Sequence, residues 1–249
     1  MGATGGGIYE PAFVRGLFDE MARTYGVVNL VTSFGFAARW RKQCVRRIDI
    51  RPGMAVADLM TGMGELCPDL ARRVGAAGAI TAVDLSPVMC RRTRDHARRS
   101  PCPVEVVETD VLEWDGGTAS ADAVVSSFGL KTFDGPQAAR LAGQIARLLK
   151  PGGCFSVVEI SVPPNRWLRL PYLFYLRHVI PLLGRAFLGN PDNYRMLGVY
   201  TEAFGDCVGF AAACRRAGLV AREESYFFGC ATGVSGHKPA GSEAAACAL

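Results

Sequence analysis

Asp58, Gly62, Gly64 and Asp84 have the types and spacing to hold a charged nucleoside. Each acid closes an apolar run, AVAD and AITAVD, and the two glycines lie in the turn after the first run. A carboxylate at the tip of a second strand can accept hydrogen bonds from both hydroxyls of a ribose, and glycines let the backbone approach the ligand closely. A dinucleotide fingerprint, G-x-G-x-x-G, sets a third glycine beside a pyrophosphate. The loop Asp58-Leu-Met-Thr-Gly-Met-Gly64 has only two glycines and an acid ahead of them. That suits S-adenosylmethionine (SAM), which has no phosphate to cradle and has an amino group that a carboxylate can hold. A glycine turn that merely reverses the chain is the plain alternative, and it leaves Asp84 without a role.

These residues need a sheet to position them. Apolar patterning predicts strands at Ala55–Leu59, Ala79–Asp84, Val104–Thr109, Ala121–Ser126, Cys154–Ile160 and Val220–Tyr226. Between and around them, helices are expected over Pro11–Tyr25, Phe36–Ile48, Cys67–Val74, Pro87–Arg99, Ala138–Leu149 and Phe204–Ala217, with Ser86 as an N-cap and Lys150-Pro-Gly-Gly153 as a stop. The alternation predicts an α/β fold with a doubly wound, mostly parallel sheet and the ligand at the carboxyl ends of its strands. Residues 1–48 read as an N-terminal helical cap, 49–238 as the catalytic domain and 239–249 as a disordered tail. About 163–204 the alternation gives way to an aromatic, basic insertion, NRWLRLPYLFYLRHVIPLLGRAF. It is either the core helix of a lid or a surface helix lying against lipid, and Pro171 and Pro181 are expected to kink or break it.

With 28 Lys and Arg against 23 Asp and Glu, the 249-residue chain carries a net charge of +5. The basic runs Arg39–Arg47, Arg72–Arg73 and Arg91–Arg99 read as solvated helix faces, or as attraction to an anionic surface such as lipid head groups. No nucleic-acid motif accompanies them, so nucleic acid is not an expected partner. Nine irregularly spaced cysteines, without a CxxC pair, form neither a disulfide framework nor a metal site, and point to a reducing cytoplasm. The N-terminus lacks a secretory pattern, and no apolar run is long enough to span a bilayer.

Three further stretches are more specific: YGVVNLVTSFG at Tyr25–Gly35 followed by Arg39-Trp40, DAVVSSFGL at Asp122–Leu130, and LLKPGGCFSVVEIS at Leu148–Ser161. Together, in order and spacing from about Phe18 to Phe228, they resemble the ubiquinone/menaquinone C-methyltransferase family. The resemblance implies a seven-stranded class I methyltransferase sheet with N-terminal helices and a helical lid. It also implies SAM as cofactor and C-methylation of a lipophilic quinol or phenol. It assigns Gly62, Met63 and Gly64 to the SAM loop, Asp84 to the ribose, Asp110 and Val111 to the adenine and Ser127 to the pocket wall. Met63 stands where the family usually has threonine, and Thr61, which could supply a hydroxyl instead, where it has glycine. Lys131-Thr132 replaces an arginine–asparagine pair on the substrate side, keeping the charge but losing the bidentate fork and the amide.

Carbon methylation of a hydroquinol requires the phenol to lose its proton, so a base or a nearby cation is needed. The candidates are His178, Lys131 and Tyr25, with Tyr194 and Arg195 matching a family region near the substrate channel. The expected partners are a lipophilic aromatic small molecule, a membrane surface touched peripherally and a second copy in a homodimer. O-, N- or C-methylation of a soluble specialised metabolite is the alternative enzyme. A binding protein that transfers no methyl is a third reading, and it leaves the joint presence of Asp58, Gly62, Gly64, Asp84 and Asp110 without a purpose.

Overall fold

Three apolar runs, AVADL, AITAVD and ADAVVSS, lie side by side, because strands this poor in polar residues must be covered on both faces. A computed structural model describes residues 7–22, 31–186 and 190–240, leaving Ala186 without a described side chain. Tyr25, the end of the first predicted helix and the tail beyond residue 240 lie outside the described residues. The elements, in chain order, are α1 (Pro11–Met21), α2 (Phe36–Arg46), β1 (Ala55–Leu59), α3 (Cys67–Val74), β2 (Ala79–Asp84), α4 (Pro87–Ala97), β3 (Val104–Glu108) and β4 (Ala121–Ser127). They continue with α5 (Gly135–Leu148), β5 (Leu149–Ile160), α6 (Arg166–Phe174), α7 (Ile180–Ala186), α8 (Pro191–Phe204), α9 (Val208–Arg216), β6 (Val220–Tyr226) and β7 (Ala231–His237).

Among the described residues the strands form one seven-stranded sheet in the order β3-β2-β1-β4-β5-β7-β6, parallel except for β7. The strand order reverses at β1, between β2 and β4, so the crevice beyond Asp58 and Asp84 is the place for a ligand. One face of the sheet packs Leu59, Val124 and Phe155 against Leu141 and Ile145 of α5 and Phe210 of α9. The other packs Val56, Ile80 and Val125 against Val45 near the end of α2 and Leu70 and Val74 of α3. At roughly 1.5–3 kcal/mol for each fully buried large apolar side chain, these two layers fix the strand ends that carry the site.

Several boundaries differ from the sequence expectation. Helix α5 starts at Gly135, three residues early, because Asp134 and Gln137 form a capping box: Asp134 accepts from the Gln137 N–H at 2.8 Å, and Gln137 accepts from the Asp134 N–H at 3.0 Å. Lys150-Pro-Gly-Gly153 is drawn into β5 as an irregular entry, with Ala121 paired to Leu149 and Ala123 to Cys154. The helix expected over Phe204–Ala217 is two helices, since Gly205 adopts φ 71° and ends α8 before α9 begins. Beyond Tyr226 a short 3₁₀ turn, Phe227–Gly229, leads into β7, which makes a hairpin with β6.

The insertion is helical from Arg166 to Ala186 and again over Pro191–Phe204. Pro171 lies inside α6, and ahead of Pro181 the ladder widens into a π-turn, Tyr175–Val179, whose end has the Ile180 N–H reaching back to the Tyr175 carbonyl. Widening by one residue lets the chain pass both prolines without a break. A satellite core of Leu17, Met21, Leu176, Ile180, Tyr194 and Tyr200 fastens this lid to α1. No helix among the described residues is long and apolar enough to cross a membrane.

Candidate functional site

The turn after β1 is held by hydrogen bonds that cross the sheet. The Asp84 carboxylate accepts from the Gly62 N–H at 2.8 Å with one oxygen and from the Ser86 N–H at 2.9 Å with the other. Thr93 of α4 donates its hydroxyl to the Gly62 carbonyl at 2.9 Å. Gly62 and Gly64 take φ of 61° and 76°, in the left-handed region that glycine enters without strain, and Met60 is forced to 56° beside them. Asp58 is buried under the loop and accepts from the Thr61 hydroxyl at 2.6 Å. Burial pushes its carboxyl up to about 7 in spite of that bond, and burial likewise pushes Asp84 up to about 6 against its two amide donors.

A cavity of about 860 Å³ opens above this turn. Six of the nine residues expected to bind cofactor line it: Thr61, Gly62, Asp84, Asp110, Val111 and Ser127. The other three support the turn from behind. Asp58 holds Thr61, the Met63 N–H donates to Glu65 at 3.1 Å, and Gly64 faces Thr93 so closely that an added Cβ would come within 3.0 Å of its methyl.

Sequence reasoning missed Arg41, Glu65 and Phe128. Arg41 pairs with Glu65 at 2.9 Å inside the cavity and lies 5.0 Å from the centre of the Phe128 ring. The signals were present, an acid directly after the second glycine and an arginine beside the inward-facing Trp40, but the basic run around Arg41 was read as a solvated face. Two buried polar atoms here have no hydrogen-bond partner among the described residues: Asp58 Oδ1, which needs a donor, and Arg41 Nε, which needs an acceptor. A ligand carrying both an ammonium and a carboxylate suits these two groups. Arg41 lines the cavity and can meet the carboxylate directly, while Asp58, behind Thr61, acts on the ammonium through its charge, so the residues fit the amino-acid end of SAM. Asp84 and Asp110 line the same cavity.

A second cavity of about 600 Å³ adjoins the first across Phe18, Phe128 and Thr132. Its wall includes Lys131, Ile160, Tyr194 and Tyr200. Phe128 is held at φ 64°, and Gly129 behind it is so near Met60 that a Cβ would lie 2.7 Å from the sulfur. Two side chains in left-handed backbone at the junction of the cavities are the kind of strain that concentrates at working sites. Lys131 donates to the Phe128 carbonyl at 2.6 Å and to Glu159 at 2.9 Å. Glu159 is 0% exposed and also accepts from the backbone N–H groups of Lys131 and Ile160 at 3.0 and 2.7 Å.

Lys131 is therefore the one of the three catalytic candidates that the structure brings to this cavity. His178 lies on the exposed side of the π-turn with its ring 4.8 Å from that of Phe174, lining none of the described cavities. Tyr25 lies outside the described residues. Tyr194 is buried in the cavity wall, while Arg195 faces outward, paired to Asp192 at 2.5 Å.

The raised carboxyls predict opposite pH trends for the ligand-free and the liganded protein. The folded state binds the Asp58 proton more tightly than the unfolded chain, so the contribution of this group to stability is greatest below 3.8 and is lost as pH rises through about 7. Binding a cationic amino group needs the carboxylate, so SAM affinity should rise with pH through about 6 and about 7. Thermal melts of wild type and Asp58→Asn, with and without SAM, check this. The SAM-induced rise in Tm should grow with pH in wild type and lose the part of that growth due to Asp58 in the variant, and matching pH profiles would overturn the assignment.

The family model for the ubiE/COQ5 methyltransferase family matches residues 8–238. The chain is 33% identical to a demethylmenaquinone methyltransferase of Thermus thermophilus over 90% of its own length and 100% of that protein. It is 28% identical to a demethylmenaquinone methyltransferase of Desulfitobacterium hafniense, covering 92% and 91% of the two chains. Its fold is similar to that of magnesium protoporphyrin IX methyltransferase from Synechocystis, solved with bound S-adenosylhomocysteine, with a TM-score of 0.61, 15% identity and coverage of 92% and 99%.

Proposed function

We propose, starting from the fact that this chain belongs to the ubiE/COQ5 methyltransferase family and is a SAM-dependent methyltransferase, that it methylates a ring carbon of a lipophilic quinol. The observation that carries this reading is the buried Lys131–Glu159 pair in the wall of an otherwise mostly apolar cavity next to the SAM cavity. SAM, when bound, supplies an electrophilic methyl group. The protein must bring an electron-rich ring carbon to it and keep water out.

The apolar walls Leu17, Met21, Ile160 and Ile180 suit a hydrophobic aromatic substrate. Lys131 Nζ stabilises a ring oxygen as phenolate, which raises electron density on the neighbouring carbons. Two of its hydrogens serve Phe128 and Glu159, and the third is left for the substrate. Paired to Glu159 at 2.9 Å, Lys131 acts as a fixed cation rather than as the base. The phenolic proton leaves to solvent as the ring binds. After transfer the proton on the methylated carbon is lost and the oxygen is reprotonated from solvent, which restores the aromatic quinol. Phe128 and Thr132 border both cavities and set the line between substrate and cofactor. Both bacterial relatives are demethylmenaquinone methyltransferases by name, which supports a quinone-pathway substrate.

The test is an assay with isotope-labelled SAM and a tail-free demethylated naphthoquinol in solution. The expected product carries the label on a ring carbon. The Lys131-Thr132 pair, where the resemblance implies arginine and asparagine, and Met60, Thr61 and Met63 in the loop are the features favouring a soluble specialised metabolite. Labelling only of amines or phenolic oxygens would favour that alternative and overturn the quinol reading.

A further inference from the structure

A third cavity, about 840 Å³ and strongly apolar, continues from the second through Thr32, Ile160, Ile180 and Leu197. It reaches the surface between α2, α6 and the turn before β7, where Phe34, Phe36, Leu168, Pro171 and Phe227 line it. Around this mouth the protein exposes large apolar side chains that none of the described residues covers. Phe34 is 78% exposed, Phe228 77% and Trp167 73%, and Leu170 and Phe174 continue the outer face of α6 at helical spacing.

Contacts tie these groups into one surface. The Phe227 ring lies 4.5 Å from Phe36 and 5.5 Å from Phe228, Phe34 lies 6.1 Å from Tyr175, and Tyr172 of α6 donates to the Cys230 carbonyl at 3.0 Å. An added Cβ on Gly229 would fall 2.6 Å from Pro164, so the Phe227–Gly229 turn lies against the start of α6.

Two features bear on what covers this surface. First, Phe34, Phe227 and Phe228 all have positive φ, 49°, 44° and 57°. A bulky side chain in that region is strained, and here the strain serves to point aromatic rings at solvent. Second, the segments that carry the exposed aromatics have no acid of their own, and Glu202 of α8 and Glu224 of β6, which reach them, are paired to Arg177 and Arg47. Residues 31–47, 163–185 and 226–238 contain no Asp or Glu, and they include Arg39, Lys42, Arg46, Arg166 and Arg169. The guanidinium of Arg166 lies 4.9 Å from the Trp167 ring centre, joining a cation to the exposed apolar face. Exposed aromatics amid basic residues, at the open end of an apolar tunnel, match the chemistry of an anionic bilayer surface, with rings entering the headgroup region and cations meeting lipid phosphates.

We propose that this mouth docks on an anionic lipid bilayer and that the third cavity draws a long apolar substrate tail out of it towards Lys131. The docking rests on the quinol reading only for the tail. Phe228 and Trp167 line none of the described cavities, so they can be changed without touching the substrate path. Replacing Phe228 by glycine also relieves its backbone strain, which guards against a folding defect.

The experiment compares the full chain with the double variant Phe228→Gly/Trp167→Ser. Flotation uses vesicles of phosphatidylcholine alone and of phosphatidylcholine with roughly a third phosphatidylglycerol. Methylation is measured on a tail-free demethylated quinol in solution and on a polyprenylated one in the vesicles. Wild type should float with the anionic vesicles and much less with the neutral ones. The variant should lose vesicle binding by roughly tenfold or more, keep its activity on the soluble quinol, and lose activity on the membrane-held one in parallel with binding. A wild type that ignores both kinds of vesicle, or a variant that binds like wild type, overturns the docking surface. A wild type that ignores vesicles and dimerises, with the variant monomeric, overturns it in favour of a second copy on this face. Vesicle binding without methylation of either quinol supports the docking surface and overturns the quinol reading alone.

Discussion

Replacing Lys131 by methionine should lower the melting temperature by about 10 °C and reduce kcat at least a hundredfold. Glu159 is fully buried, and its counter-ion is the Lys131 ammonium at 2.9 Å. Removing one partner of a buried pair leaves an uncompensated charge, which costs about 3–5 kcal/mol. In a chain of this length each kcal/mol shifts Tm by roughly 2–4 °C. The catalytic loss has a separate origin, the absence of a fixed cation beside the developing phenolate, a contribution of roughly 3–4 kcal/mol in comparable sites.

The double variant Lys131→Met/Glu159→Gln separates the two effects. It removes both charges and keeps one acceptor oxygen for one of the two backbone N–H groups, of Lys131 or of Ile160, so part of the lost stability should return. Activity should not return with it. Thermal melts and steady-state kinetics on the three proteins check this, and a double variant as active as wild type would remove Lys131 from the mechanism. Lys131→Arg, which keeps a positive charge at this position, should retain part of the activity.

Asp84→Ala should weaken SAM binding by about 2–3 kcal/mol, between thirtyfold and two-hundredfold in Kd, with a much smaller effect on Tm. The carboxylate does two things at once: it faces the cofactor cavity, and it fastens the Gly62 and Ser86 N–H groups at 2.8 and 2.9 Å. Its loss removes charge-assisted bonds to the ribose and slackens the turn that shapes the cavity. Stability changes less because burial already taxes the ionised group, as its rise to about 6 records. Asp84→Asn, which keeps one acceptor oxygen, should fall between. Titration calorimetry measures the affinities, and an unchanged Kd for the alanine variant would place the cofactor elsewhere.

Much of the cofactor side was legible before any coordinates. Strands β1, β2 and β4 are short, nearly unbroken apolar runs, and an acid that ends such a run emerges at a predictable edge of a parallel sheet. Asp84 was placed in that way, Asp110 and Ser127 came from the family resemblance, and all three line the first cavity. The substrate side was less legible because its pairs are distant in the chain. Lys131 and Glu159 are 28 residues apart and Arg41 and Glu65 24, and neither partner announces the other. His178 shows a different limit: its neighbours in sequence made it a catalytic candidate, and only the folded chain places it on the exposed side of the π-turn, against Phe174.

The loop from Asp58 to Gly64 and the alternation of strand and helix were enough to specify a doubly wound, mostly parallel sheet with a nucleoside site at its strand ends, because periodicity, glycine turns and strand-end acids act over a few residues. The family resemblance carried by SFGL and LLKPGG added the class I type and SAM. Only the packed molecule decided which charges are buried, which candidate reaches the second cavity, and that a tunnel runs on to an aromatic rim at the surface. Those outcomes depend on how elements far apart in the chain share one interior. Desolvation, which raises Asp58 and binds Lys131 to Glu159, exists only once that interior has closed.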